Sequence, residues 1–457
     1  MQKKSNIFDP KWFIVPYSRG LVMQIGGNEP LYGHFLLTDT VEIIADGKLD
    51  ALVINGAEIP EANTFEDWRR VIKPDGYIIF VNQDETEAKN ILSVWSDCVI
   101  AKQRDQLLVV TPNKKEKQKP KPDKSCLVVR YGAWGDQIIC AGIFPLLKKQ
   151  GYHVTLNCQA PQHIVNATHP DIDELMVQDR NQVHNDDLIT YWQAIATEYD
   201  KVVNLSSSIE GQLLLSHEHP KYFWSQSARH KLFNQNYMEI THDLADVPYN
   251  FRGCVFHATA DEKEQAKEIR QRFDAPLVTW AVAGSSVHKW YPHMADVLVG
   301  LLEQTNAYVM LMGDKEAMVL QESVLEETEK RYGSVERIAA QCGTLPMRAS
   351  MALAQVSDVV VGPETGLLNA VCMEKNHKVV MVSHSGPKQL TKHWKNTKEI
   401  LPQNTACFPC HRLHFDFEHC DQDENTKAAM CSASIEPATI IKAIKNGLHN
   451  ASRKQSY

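Results

Sequence analysis

Short apolar runs alternate with helix-like stretches from residue 125 almost to the end of this 457-residue chain. The runs have the length and composition of buried strands, and they begin at Ser125, His153, Lys201, Leu277, Tyr308, Asp358 and Lys378. Strands that alternate with helices predict an α/β protein with doubly wound parallel sheets. Because about 330 residues of this pattern exceed one sheet of ordinary size, we expect two sheets, with the break near residues 248–258.

A Lys- and Pro-rich segment, residues 111–124, precedes this region and contains no large apolar side chain. Such a segment cannot bury enough surface to offset the entropy lost on ordering, so we predict an extended linker. A run of lysines is also compatible with a nucleic-acid contact, and we favour the solvated linker.

Residues 1–110 form a shorter α/β pattern of their own, with a strand at Asp50–Asn55 and a turn at Lys73–Gly76 that leads into another strand. The segment Arg70-Val-Ile-Lys-Pro-Asp-Gly-Tyr77 resembles the later part of a class I methyltransferase. The glycine loop for the cofactor is reduced to Ile25-Gly-Gly27, without the Gly-x-Gly-x-Gly spacing. We interpret this region as a small, non-catalytic Rossmann-like domain, with a bifunctional methyltransferase as the alternative.

Composition limits the class of protein. Hydrophobic residues make up 43% of the chain and charged residues 23%, as in an ordinary globular protein. No apolar run approaches the roughly 20 residues that cross a bilayer, and the N-terminus lacks the apolar core of a signal peptide. We therefore expect a cytoplasmic protein without a transmembrane segment. The formal net charge of −8 gives no general attraction to polyanions.

The first loop with a chemical pattern is Arg130-Tyr-Gly-Ala-Trp-Gly-Asp136, which joins a predicted strand to an apolar helix predicted at Asp136–Gln150. Ligands of open parallel sheets bind at the carboxyl ends of strands, where such loops lie. Gly135 lets the backbone approach a ligand, and a carboxylate at the start of the helix would face it. Asp136 is equally well explained as a helix cap, so spacing alone leaves both roles open.

The second loop, Gly284-Ser-Ser-Val-His-Lys-Trp-Tyr-Pro292, follows another strand and suits a diphosphate. Backbone amides and the hydroxyls of Ser285 and Ser286 would contact the oxygens, while Lys289 would supply positive charge. The alternative is an exposed loop lysine, and we predict that His288 lies at the surface.

The third loop, Gly362-Pro-Glu-Thr-Gly-Leu-Leu-Asn-Ala370, places a hydroxyl between two glycines at a strand end. A phosphate-binding turn and a tight turn without a ligand both explain this pattern.

In this order and spacing, the three loops resemble glycosyltransferase family 9, the ADP-heptose lipopolysaccharide heptosyltransferases and their relatives. The family patterns Arg-x-x-x-x-Gly-Asp, Lys-x-Trp/Tyr-Pro and Gly-x-Asp-Ser/Thr-Gly-x-x-His-Leu-Ala match Arg130–Asp136, Lys289–Pro292 and Gly362–Ala370. The resemblance spans about residues 125–445 and implies a GT-B fold, in which two Rossmann-like domains face a cleft. It places the acceptor domain at 125–255 and the nucleotide-sugar domain at 256–435. In the C-terminal segment, 436–457, the spacing of Ile440, Ile441, Ile444 and Leu448 predicts a helix that packs back on the body through one apolar face.

The resemblance also implies roles for individual residues. Asp136 would be the general base of an inverting, metal-independent transfer from a nucleotide-diphosphate sugar of the heptose type. The donor diphosphate would contact Lys289, Ser285, Ser286, Thr365, Gly366 and Glu364. The donor nucleotide and its surroundings would involve Gly135, Gly313, Glu316 and Asn369. No cofactor is then required for catalysis.

Two positions depart from the family pattern, because its usual Asp is Glu364 here and its usual His is Asn369. Both replacements keep polarity, but they change reach and remove a titratable ring. They leave the donor sugar and nucleotide open, and they keep a catalytically inactive binding or scaffold protein as an alternative of another class.

Four of the eleven cysteines cluster in the sequence at Cys407, Cys410, Cys420 and Cys431. Two-residue spacing in the first pair, with two later thiols, permits a tetrahedral structural zinc site. Since the family often carries cysteines at this place, reduced or paired thiols are alternatives. The other cysteines stand singly in apolar surroundings, as reduced core thiols do.

The acceptor is the most open point of the sequence. A saccharide such as the lipopolysaccharide core is the family default. The additional N-terminal domain suggests a specialised context, such as a phage or another mobile element, in which a hydroxymethylated DNA base or a protein would be the acceptor. The net charge of −8 weighs mildly against DNA.

Overall fold

The structure is a computed structural model. It describes residues 15–18, 20–26, 31, 36–37, 41, 44–55, 62–81, 90, 98–104, 107–111, 122–178, 183–206, 215–217, 219–251 and 256–455. Most of the predicted linker, residues 112–121, and part of the expected break at 248–258 lie outside these ranges.

The first sheet is mixed and contains six strands in the order β2-β1-β3-β4-β6-β5. Its elements are β1 Val22–Ile25, β2 Leu36–Leu37, β3 Leu49–Asn55, α1 Ala62–Val71, β4 Ile72–Val81, β5 Val99–Arg104 and β6 Leu107–Thr111. The first four strands in that order are parallel, and β6 runs antiparallel to both β4 and β5. Leu52, Ile54 and Phe80 are fully buried, as expected for β-branched, aliphatic and aromatic residues in inner strands.

The turn expected at Lys73–Gly76 is not a separate turn. These residues lie within β4, where Ile72 pairs with Leu49 and Tyr77 pairs with Ala51, so β4 carries the extra residues as an irregularity. Gly76 fits there because a Cβ atom on it would lie 2.8 Å from the carbonyl oxygen of Asp50.

The second sheet contains four strands in the order β10-β7-β8-β9. They are β7 Ser125–Val129, β8 His153–Gln159, β9 Glu174–Gln178 and β10 Lys201–Asn204, with β7, β8 and β9 parallel. Every residue of β7 is buried. The apolar pattern does not predict β9, because its first residue is exposed and its next two are only half-buried.

The single helix expected at Asp136–Gln150 is broken. Helix α2 Trp134–Ile139 ends in a 3₁₀ turn at Cys140–Ile143, and α3 Phe144–Lys149 follows. Pro145 explains the break, because proline lacks an amide hydrogen and its ring collides with the carbonyl group four residues earlier.

The third sheet is entirely parallel, in the order β13-β12-β11-β14-β15-β16. Its strands are β11 Leu277–Ala281, β12 Tyr308–Met312, β13 Ile338–Ala340, β14 Val359–Pro363, β15 His377–Met381 and β16 Thr397–Ile400. The chain builds outward from β11 through β12 and β13 and then returns to the other side of β11 with β14. The topological switch point therefore lies between β11 and β14, where open α/β sheets bind ligands.

The other described α-helices lie between and after these strands in the chain. They are α4 Leu188–Ala196, α5 Gln226–Leu232, α6 Tyr237–Ala245, α7 Ala260–Gln271, α8 Met294–Gln304, α9 Ala317–Tyr332, α10 Met347–Val356, α11 Gly366–Ala370, α12 Pro387–Leu390, α13 Met430–Ala433 and α14 Pro437–Gln455. Helix α14 buries Ile440, Ile444 and Leu448 in the same core as the third sheet, as the sequence predicted.

Contacts divide the chain into two compact units. One comprises residues 1–129, 151–161 and 173–202, and the other comprises 130–150, 162–172 and 203–457. The three loops with chemical patterns and the clustered cysteines all belong to the second unit. None of the described helices combines the length and apolar character that a membrane span requires.

Candidate active site

Asp136 closes the first turn of α2 and also pairs with a buried arginine. Its Oδ2 accepts a hydrogen bond from the amide of Ala133 at 2.7 Å, and its Oδ1 lies 2.6 Å from Nη2 of Arg130. Arg130 is 1% exposed and is fixed in turn by a hydrogen bond to the carbonyl of Leu205. The helix-stabilising role is therefore present. The Asp136 side chain still keeps 20% of its surface exposed, so both the cap and the base interpretations of this carboxylate are physically open.

Lys289 is not an exposed loop lysine. Its side chain is 11% exposed, and its Nζ lies 3.1 Å from Oε2 of Glu364, which is buried to the same degree. Of the two serines in this loop, Ser285 is exposed and Ser286 is buried. The Ser286 hydroxyl has no hydrogen-bond partner among the described residues.

The prediction that His288 lies at the surface is wrong, because this side chain is 2% exposed. The short 3₁₀ turn Val287–Lys289 directs it inward, where its Nδ1 lies 3.0 Å from the hydroxyl of Ser383. Burial, followed by the charges of His384 and Lys289, lowers the pKa of His288 well below its ordinary value. His288 is therefore a neutral imidazole inside the protein.

Glu364 links the second and third loops. Its Oε2 pairs with Lys289, and its Oε1 accepts a hydrogen bond from Nδ2 of Asn369 at 2.6 Å. Thr365 precedes α11, and its buried hydroxyl has no partner among the described residues. Gly362 has φ +153° and lies so close to β11 that a Cβ atom would come within 2.8 Å of Ala281.

The three loops converge. A Cβ atom built on Gly135 would lie 3.0 Å from Nδ2 of Asn369 and 3.7 Å from the amide nitrogen of Gly366. One built on Gly284 would lie 3.2 Å from Cγ2 of Thr365. The fold therefore brings the loop of Asp136 against the third loop, and the third loop against the loop of Lys289.

Gly313 and Glu316 occupy a neighbouring position at the same edge of the sheet. They follow β12, the strand beside β11, and both are exposed. Gly313 is required for close packing, because a Cβ atom there would lie 2.6 Å from Ala317.

The clustered cysteines line one cavity of about 140 Å³, together with His288, His384, His414, Arg229 and Arg412. All four are free thiols. Burial, followed by the negative charges of Cys410 and Cys407, raises the pKa of Cys420 to about 12. Burial likewise raises the pKa of Cys410 to about 11. These side chains are therefore protonated thiols, and a metal ion that bound them as thiolates would displace their protons.

The four thiols are suitable zinc ligands, provided that their sulfur atoms lie close enough together. Tetrahedral zinc with Zn–S bonds of about 2.3 Å holds its sulfurs about 3.8 Å apart. Among the described residues, the only metal-ligating group of three or more atoms all within 4.8 Å of one another is His217, Glu418 and His419. The four thiols would therefore have to move closer together to bind a metal.

The His217, Glu418 and His419 group lies on the surface, with the two Nε2 atoms 2.9 Å apart and the rings stacked. Sequence reasoning missed it because 202 residues separate the two histidines. The sequence pattern also did not point to His384, although His384 lies three residues after β15 and the strand-end rule used for the other loops applies to it equally.

No protein-family model and no curated protein matches this sequence. Solved structures do match it. One is a glycosyltransferase family 9 protein from Veillonella parvula, with 16% identity and a TM-score of 0.52 over 72% of this chain and 98% of that chain. Another is the ADP-heptose lipopolysaccharide heptosyltransferase II of Escherichia coli, with 12% identity and a TM-score of 0.51 over 72% of this chain and 99% of that chain. The chain therefore has the GT-B fold of the family 9 glycosyltransferases.

Proposed function

We propose that this protein is an inverting glycosyltransferase that moves a sugar from a nucleotide-diphosphate sugar to an acceptor hydroxyl. The observation that carries the proposal is the convergence of the Asp136, Lys289 and Thr365 loops at the switch point of a GT-B sheet. A heptose-type donor and a lipopolysaccharide-core acceptor follow the name of the E. coli protein with this fold. A non-catalytic scaffold would not need to bring together a loop with a carboxylate and a loop with a buried lysine.

The donor diphosphate would bind between the second and third loops. Lys289 has three N–H donors, so it can keep Glu364 and still donate to a phosphate oxygen. The buried hydroxyls of Ser286 and Thr365 lack protein partners among the described residues and would donate to the same group. Such fixed donors stabilise the negative charge that develops on the leaving diphosphate, as a metal ion does in other transferases.

Asp136 would accept the proton of the acceptor hydroxyl. As the acceptor oxygen forms its bond to the anomeric carbon from the opposite face, the bond to the diphosphate breaks and its electron pair leaves with the diphosphate. The carboxylate accepts from Ala133 and pairs with Arg130, and 20% of the side chain stays exposed, so an acceptor hydroxyl can reach it. Arg130 holds the carboxylate in one orientation, which general-base catalysis requires.

The test starts with a thermal-shift panel of nucleotide sugars, followed by mass spectrometry of candidate acceptors with the sugar that binds. The acceptor panel includes core saccharides and hydroxymethylated duplex DNA. Asp136→Asn should lower transfer by about 100-fold or more while leaving the donor Kd nearly unchanged. Asp274→Asn is the control, because Asp274 is exposed and precedes β11 at the opposite edge of the sheet. Full turnover by Asp136→Asn would remove the base assignment.

Two further assignments are part of the proposal. The four clustered thiols hold a structural zinc ion, and residues 1–110 are a methyltransferase-like domain without catalytic activity. Zinc absent from protein purified without chelators would contradict the first. Binding of S-adenosylmethionine followed by methyl transfer would contradict the second.

A further inference from the structure

Residues 407–435, here called the strap, join β16 to the C-terminal helix and contain all four clustered cysteines. Apart from the short helix α13 and single bridge pairs at Arg412 and Gln422, the strap has no regular secondary structure. An irregular segment of this length loses much conformational entropy on ordering, so specific contacts must hold it in place.

The strap forms hydrogen bonds with the Lys289 loop on both sides of Lys289. Before Lys289, the Val287 amide donates to the His414 carbonyl at 3.0 Å. After it, the Trp290 carbonyl accepts from the Ser432 hydroxyl, and the Tyr291 phenol donates to the Ile435 carbonyl at 2.9 Å. A fourth hydrogen bond joins His293 Nε2 to the Ala433 carbonyl at 3.1 Å. Burial raises the pKa of Tyr291, so its phenol stays protonated and donates. The backbone on either side of the diphosphate-binding lysine is thus positioned by the strap.

The same loop forms a wall of the cysteine cavity. His288, the residue before Lys289, lines this cavity, and its ring centroid lies 4.9 Å from that of His384 and 5.9 Å from that of His414. The Nε2 atom of His288 and both ring nitrogens of His384 have no hydrogen-bond partner among the described residues. Among the described residues, the hydroxyl of Ser383, which also lines the cavity, therefore holds the His288 ring through Nδ1, and no hydrogen bond holds the His384 ring.

Two of the cysteines lie close in sequence to strap residues that form hydrogen bonds with the Lys289 loop. Cys431 directly precedes Ser432, and Cys410 lies four residues before His414. Any bond that joins Cys410 to Cys431 therefore ties together the two ends of the strap that hold the loop. Without such a bond, only hydrogen bonds and packing oppose the entropy of an open strap.

We propose that the strap positions the diphosphate-binding loop, and that a metal ion bound by its thiols tightens nucleotide-diphosphate binding without touching the nucleotide. This inference rests on the proposed function, since it concerns the same donor site. Tyr291 and Ser432 are then positioning residues that act through Lys289.

The first test compares two tyrosines. Tyr291→Phe removes the phenol-to-carbonyl hydrogen bond between loop and strap. Tyr332→Phe is the control, because Tyr332 likewise donates to a carbonyl, that of Leu302 at 3.1 Å near the C-terminal end of α8, and does not contact the strap; its phenol also accepts from Arg337. Calorimetry with ADP and UDP should show a Kd raised about 2- to 10-fold by Tyr291→Phe and unchanged by Tyr332→Phe. Hydrogen exchange of residues 284–293 without nucleotide should be faster in Tyr291→Phe only.

The second test removes either the metal ion or one of the thiols proposed to bind it. Wild-type protein treated with a chelator, and Cys410→Ser, should both bind the nucleoside diphosphate more weakly and exchange faster at residues 284–293. Added zinc should restore the chelated wild type and leave Cys410→Ser unchanged. His217→Ala is the control for metal bound at the surface group instead. Circular dichroism checks that Cys410→Ser is folded. If Cys410→Ser is unfolded, Tyr291→Phe still tests the contact between strap and loop.

The outcomes separate the two proposals. If wild-type protein binds no nucleotide sugar or diphosphate, the proposed function fails and this inference fails with it. If wild type binds but Tyr291→Phe binds equally well with unchanged exchange, the strap does not position the loop. Equal affinity before and after chelation, or metal lost only in His217→Ala, overturns the role of metal at the thiols.

Discussion

At the scale of single residues, the pair Lys289 and Glu364 shows how a charged site is kept in a protein interior. Each side chain is 11% exposed, and the 3.1 Å contact between them compensates charges that would otherwise be costly to bury. Sequence reasoning placed both residues at the diphosphate. It did not predict that they neutralise each other, because 75 residues separate them.

This arrangement gives a prediction for both stability and binding. Lys289→Met should leave Glu364 as an uncompensated buried carboxylate and destabilise the fold by about 3 kcal/mol. It should also raise the Kd of the nucleoside diphosphate about 10- to 100-fold. The double variant Lys289→Met/Glu364→Gln should recover most of the stability and none of the affinity. Urea unfolding and calorimetry measure the two effects, and recovery of affinity in the double variant would contradict a direct role for Lys289.

At the scale of structural elements, the strand-to-loop transitions decide where the chemistry lies. Strands β11 and β14 are adjacent and parallel, so the loops after them leave the sheet at the same edge. Sequence reasoning could find these loops because apolar runs, glycines and small polar residues are local signals. It could not find the break between α2 and α3 by apolar pattern alone, because that pattern continues through Pro145.

Gly362 tests how tightly β14 must approach β11. Gly362→Ala should destabilise the fold by about 1–3 kcal/mol, since a side chain is strained at φ +153° and its Cβ would collide with Ala281. Gly386→Ala is a suitable comparison, because Gly386 has φ −84° and its Cβ would meet only the flexible end of Gln389 at 3.1 Å. Thermal unfolding of both variants checks the difference, and equal melting temperatures would contradict this account.

At the scale of the whole molecule, buried histidines set the response to acid. Burial, followed by the charge of His257, lowers the pKa of His169 from 6.5 to about 3. Burial also lowers the pKa of His414 to about 4. Below pH 6.5 the unfolded chain binds protons at these rings and the folded chain does not, so stability falls as the pH falls from 6.5 towards these values.

The free energy of unfolding should therefore fall by about 1.4 kcal/mol per pH unit for each such histidine below pH 6.5. Urea titrations at pH 7.5, 6.5 and 5.5 measure this slope. His169→Gln should reduce this slope by the contribution of one histidine, whereas His449→Gln, at an exposed position, should leave the slope unchanged. A slope that is the same in His169→Gln and wild type would show that His169 is protonated in the folded protein.

The sequence by itself determined the α/β class, four of the six strands of the third sheet and the three loops of the candidate site, because hydrophobic period, glycine and proline act over a few residues. Only the tertiary structure decided which of these groups meet. Asp136 pairs with Arg130, His288 turns inward, Glu364 bridges Lys289 and Asn369, and the strap reaches back to the loop of Lys289. Apart from the local pairs Arg130–Asp136 and Glu364–Asn369, these contacts join residues far apart in the chain, and their geometry follows from strand order and packing, which no local pattern encodes.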